Sequence, residues 1–150
     1  MKRNKISWIF FVLTMVLAAD GLNAQAAHEI TLNVDTKNPN PGKACFFMAG
    51  KNTTVLNNSS PETFTIFAQV GDNIVWKGVS STEPNIPVKI TAITYISGPR
   101  IFTSDTIKGD KFVQATVIRG GKAPYKYQIQ FSVGTNSGMY TIDPKIQIGE

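Results

Sequence analysis

The sequence predicts an all-β protein, an antiparallel Greek-key β-sandwich of eight or so short strands. Three observations lead there. After Ala27 the apolar residues recur with period two, not with the 3.6-residue period of a helix. Clusters of Pro, Gly, Asn and Ser punctuate these runs at short spacing. The 150 residues are 42% hydrophobic and 17% charged, enough apolar surface to offset the ordering entropy of one core, in a length that suits one domain and leaves little room for two.

Residues 1–26 read as an export signal. Lys2, Arg3 and Lys5 precede an apolar run over residues 6–19, interrupted only by Ser7 and Thr14. Ala24-Gln25-Ala26 then supplies a small-x-small cleavage pattern, with cleavage expected before Ala27. The run is shorter than the roughly 18 residues of a spanning helix, so no integral membrane segment is expected after cleavage. Three basic residues and one acid leave with the signal. The formal charge of +5 becomes +3 over the remaining 124 residues, with 12 basic and 9 acidic side chains. That scatter lacks the concentrated basic stripe of a nucleic-acid surface. Residues 27–150 are expected to form a single domain, exported to the periplasm or the extracellular space.

The strands follow from alternation. Ile30, Leu32 and Val34 share one face, as do Phe64, Ile66, Ala68 and Val70, and Val113, Ala115 and Val117. Tyr125, Tyr127, Ile129, Phe131 and Val133 oppose Lys126, Gln128, Gln130 and Ser132. Tyr140, Ile142, Ile146 and Ile148 make the last apolar face, and Pro144 inside that run predicts an edge strand. Between Val88 and Tyr95 the apolar parity flips, which requires a bulge near Thr91-Ala92 and fits a strand passing between sheets. Prolines 39 and 41 and the Asn57-Asn58-Ser59-Ser60-Pro61 stretch mark loops, and Gly71-Asp72-Asn73 reads as a tight hairpin turn.

Val70-Gly71-Asp72-Asn73-Ile74-Val75-Trp76 resembles the valine-x-glycine-aspartate-x-valine-x-tryptophan segment of cupredoxin-like domains. The chain from Tyr125-Lys126-Tyr127 to Ile142-Asp143-Pro144-Lys145-Ile146 is similar to the tail of small exported bacterial cupredoxin-like proteins that lack copper ligands. The resemblance implies a Greek-key sandwich and, in metal-binding members, electron transfer at blue copper. An immunoglobulin-like sandwich fits the strand spacing equally. This chain departs from the copper pattern. A blue-copper site takes two His and one Cys, whereas the sequence holds one His, His28, and one Cys, Cys45. Cys45 lies in Ala44-Cys45-Phe46-Phe47-Met48 and reads as a small hydrophobe.

One His also leaves no zinc spacing and no ordinary triad, since His28 is expected to be solvated near a mobile terminus. Cleavage before Ala27 would let the new amine, a backbone nitrogen and the His28 ring chelate Cu(II), which makes His28 the candidate metal ligand. No catalytic or cofactor-binding residue is assigned. Asp105 with Asp110, or Glu62 with Asp72, are the carboxylate pairs an acid-base enzyme would need. Trp76, with Phe64 and Phe131, is expected in the core. Asn52, Asn57 and Asn58 fit the N-glycosylation pattern, and Asp105-Thr106-Ile107 resembles a bacterial O-glycosylation acceptor at Thr106.

The function expected is that of a non-enzymatic binding or envelope-structural module with a protein or glycan partner. Its contacts would come from loops over residues 37–43, 52–61 and 122–124, hence Asn38, Asn40, Asn57, Asn58 and Lys122. A copper-handling periplasmic protein and a carboxylate-based glycan-active enzyme are the alternatives.

Overall fold

A computed structural model describes residues 25–135 and 138–149, so the hydrophobic run of the expected export signal lies outside the described residues. Among those described there are eleven strands and no helix. In chain order they are β1 (Ala27–Val34), β2 (Cys45–Ala49), β3 (Thr54–Asn57), β4 (Thr65–Ala68), β5 (Asn73–Ser80), β6 (Val88–Ser97), β7 (Thr106–Lys108), β8 (Phe112–Thr116), β9 (Tyr125–Val133), β10 (Met139–Ile142) and β11 (Lys145–Ile148). One sheet has the order β2-β1-β5-β8. The other has β3-β4-β11-β9-β6-β7, with β10 also on β9.

The alternating apolar faces meet in one core. Ile30, Leu32 and Val34 of β1, Ile74 and Trp76 of β5, and Val113 of β8 are buried against Ile90, Tyr127, Ile129, Phe131 and Ile146 of the second sheet. On the opposite face of β9 Lys126 is exposed, and Gln128, Gln130 and Ser132 are half-buried. A fully buried aliphatic or aromatic side chain contributes about 1.5–3 kcal/mol by leaving water. Two-sided alternation therefore fixes which face of each strand turns inward.

The sheets are mixed, not antiparallel. β1 pairs in parallel with β5, and β4 in parallel with β11. Alternation reports faces and is blind to strand direction, so this was not legible. Gly71-Asp72-Asn73 is likewise not a hairpin. It carries the chain from β4 in one sheet to β5 in the other, with Gly71 at φ +97°, a left-handed conformation that favours glycine.

The parity flip in β6 is a bulge between Ile90 and Ala92, as the pattern required, but β6 remains in one sheet. Pro144 does not mark an edge. It separates β10 from β11, and β11 lies inside the sheet between β4 and β9. The Pro144 carbonyl accepts from the Tyr127 N–H at the break. Residues 52–61 are not all loop, because β3 lies within them. Every residue of β3 is exposed, so it shows no alternation to read.

Candidate functional site

Among the described residues, two places combine polar chemistry with shape: a buried hydrogen-bonded chain at the start of β1, and a groove beside the far end of β5.

The first corrects the expectation of a solvated His28. Its position on β1, in register with Ile74 of β5, turns the ring inward, and the residue is 5% exposed. Nε2 is 2.8 Å from Asp72 Oδ2, and Nδ1 is 3.2 Å from the Thr53 hydroxyl. Asp72, also 5% exposed, further accepts the N–H groups of Ala26 and Gln69. Burial opposes ionisation of Asp72, but the hydrogen bonds from the His28 ring and the two amides outweigh it and hold the carboxyl below its ordinary value. The sequence signal for this pairing was weak: Asp72 read as a turn residue and as a carboxylate partner of Glu62, not of His28.

The arrangement is that of a clamp. Both ring nitrogens are engaged, so the ring would have to leave these partners to bind copper. Thr53 commits its own N–H to the Gly50 carbonyl, so that amide is not free to stabilise a developing oxyanion. Among the described residues, no group of three or more His, Cys, Asp or Glu is placed to hold a metal. Cys45 is half-buried at the start of β2, where burial and then the Glu62 charge push its thiol up to about 11. A thiol held protonated in this way is a poor nucleophile and ligand.

The remaining sequence candidates disperse. Asn38 and Asn40 shape the turn after β1, where the Asn40 N–H donates to Asn38 Oδ1. Asn57 ends β3 and accepts from the Ser59 N–H and the Thr63 hydroxyl, while Asn58 is exposed. Lys122 precedes β9, and its carbonyl accepts from Gln147. The loop before β4 lies at the Lys145 end of β11, and Lys122 at the Ile148 end, so the predicted contact loops do not form one surface. The same geometry parts Glu62 from Asp72, which sit before and after β4. Asp105 and Asp110 flank β7, and Asp105 is taken by a two-pronged pairing with Arg100 at 2.8 and 3.2 Å. The same guanidinium lies 4.5 Å over the Tyr95 ring. Thr106 is exposed at the start of β7.

The second place was missed by the sequence reading. β8 stops pairing with β5 at Lys77↔Phe112, and β5 runs on through Gly78, Val79 and Ser80 with, among the described residues, only β1 beside it. A groove of about 550 Å³ opens there, with Val79, Ile86, Pro87, Val88 and Phe112 among its lining residues. Lys77, Lys89 and Lys111 also line it, and among the described residues no carboxylate does. Gly78 permits the close approach at the floor, since a Cβ there would lie 2.5 Å from Val88 Cγ1.

No family model matches the chain, and no curated protein matches it. Among solved structures it is similar to the inclusion body protein PixA from Burkholderia cenocepacia J2315. That likeness has a TM-score of 0.67 at 13% identity and covers 87% of this chain and 99% of that one. The McoA multicopper oxidase of Aquifex aeolicus is matched at a TM-score of 0.30 and 11% identity, over 83% of this chain and 30% of that one. The PixA likeness is one of fold and supports the all-β sandwich.

Proposed function

We propose that this chain is an exported, non-catalytic β-sandwich that binds a partner in the cell envelope. The observation that carries the reading is the groove beside β5. Among the described residues it joins apolar walls, a sheet edge that no strand covers, and three lysines without a carboxylate in the lining. Concave apolar sites with a few placed polar groups are the usual form of a binding site. The cupredoxin-like Greek-key assignment belongs to the same proposal and rests on the segment from Val70 to Trp76. The test is retention of a protein or glycan from envelope extract by the immobilised protein. A partner held by the native protein and lost from Phe112→Ser is expected. Reproducible failure to retain anything would overturn the reading.

A second reading, self-assembly, is favoured by the opposite side of the sandwich. Edge strands β2 and β3 carry no charged residue and expose Phe46, Met48, Val55 and Leu56. Stacking of Phe47 on Phe64, 4.7 Å between ring centres, brings β2 beside the start of β4, so the two edges lie together. Edge strands are ordinarily guarded by charge or proline against pairing. The fold relative PixA is named an inclusion body protein. Sedimentation velocity should then show association that Met48→Lys abolishes, and a monomer at all concentrations would exclude it.

A further inference from the structure

We propose that the groove beside β5 takes an extended, acidic-apolar segment of a protein partner, added to the sheet as a strand next to Gly78–Ser80. The inference rests on the binding-module reading and names its partner class.

Strand direction and register supply the first argument. The Asn73 N–H donates to the Ala26 carbonyl and the Ser81 N–H to the Val34 carbonyl, so the odd-numbered residues of this stretch turn their backbone groups toward β1. The alternate residues, Gly78 and Ser80, turn theirs the other way, toward the space beyond Phe112, the residue at which β8 begins. An edge of this kind offers main-chain donors and acceptors at strand spacing, which an extended peptide satisfies and an acyl chain does not.

Charge supplies the second. Lys77 is paired with Glu29 at 2.7 Å. Lys89 and Lys111 have no carboxylate partner within ion-pair distance among the described residues. The nearby Glu83 carboxylate is engaged by the Thr36 hydroxyl. Val79 and Phe112, which share one face of the sheet with Lys77, fit the side chains of the incoming strand that turn to that face. Glutamate or aspartate at the intervening positions meets the ammonium groups.

The test uses the processed protein and a fluorescein-labelled hexapeptide alternating valine and glutamate, read by fluorescence anisotropy. Binding is expected to weaken about tenfold or more when alternate amides of the peptide are N-methylated, because those strand hydrogen bonds are then lost. Replacing glutamate by lysine in the peptide, or combining Lys89→Gln with Lys111→Gln in the protein, should weaken it by a similar factor and flatten its salt dependence. Lys126→Gln, at an exposed position of β9, should change nothing. Equal binding of the N-methylated peptide, with displacement by dodecanoate, would overturn the proposal in favour of an acyl ligand. Equal binding of the glutamate and lysine peptides would overturn it outright. So would absence of peptide binding while envelope extract still yields a partner sensitive to Phe112→Ser. In that last outcome the binding-module reading survives, and if no partner is retained either, both fail.

Discussion

The indole N–H of Trp76 donates a 3.0 Å hydrogen bond to the Tyr127 hydroxyl, joining β5 of one sheet to β9 of the other inside the core. The rings meet at 64° with centres 5.7 Å apart, and Phe102 also packs edge-on against the indole. Desolvation raises the Tyr127 hydroxyl far above its ordinary value, so it stays neutral. Tyr127→Phe should leave the buried indole donor unsatisfied and cost about 1–3 kcal/mol. Urea unfolding of Tyr127→Phe, Trp76→Phe and the double variant checks this. The two single losses should fall short of adding in the double variant, and strict additivity would mean that the bond contributes nothing.

The two faces of β9 should respond unequally. Phe131 is fully buried and stacks on Tyr140 at 5.4 Å. Phe131→Ala is expected to cost about 3–5 kcal/mol. Lys126→Ala, exposed on the opposite face, should stay within about 0.5 kcal/mol. Equal losses in unfolding experiments would show that both faces of the strand are covered.

Acid should loosen the protein through Asp72. Its carboxyl is held below the ordinary 3.8, and such a group stabilises the fold fully above its unfolded value and less as pH falls through the folded one. Unfolding midpoints of the native protein should therefore drop below about pH 4. Asp72→Asn should be less stable at pH 7 and close part of that gap at pH 3. A gap of constant size across this range would remove Asp72 as the cause.

Copper addition should give no intense thiolate band. Cys45 pairs with Val34, while His28 lies six residues earlier on β1. At strand rise that separation is about 20 Å, too far for one metal. Titration with Cu(II), followed by visible absorption in native protein and in Cys45→Ser, checks this. A strong band lost with Cys45 would contradict it.

Intact mass of the exported protein should correspond to residues 27–150. Such cleavage removes the Ala26 contacts to Asp72 and Asn73 and leaves His28 and Gln69 holding the carboxylate. A mature species that retains Trp8 would refute it.

Period-two burial made most of the sandwich legible. Ile30, Ile66, Val113, Tyr127 and Ile146 are all inward where alternation put them, and the β6 bulge followed from its change of parity. Strand direction and neighbours were not legible, because the same faces serve a parallel or an antiparallel partner. The expected neighbours of Trp76 changed for that reason. Phe64 stacks on Phe47 and Phe131 on Tyr140, while Phe102 and Tyr127 meet the indole. The groove was hidden more completely. Lys77, Lys89 and Lys111 are far apart in sequence, and only the early end of β8 brings them together.

The parallel pair of β4 and β11 has a kinetic consequence. Thr65 meets Lys145, a partner 80 residues downstream. Until β11 arrives, β4 presents one side of its backbone and the buried Ile66 to whatever strand comes by. Pairings this distant in sequence are slow to form, and a waiting edge is a place where chains associate wrongly. The newly made polypeptide should therefore reach its native state slowly, with association at the open β4 edge competing in the interval.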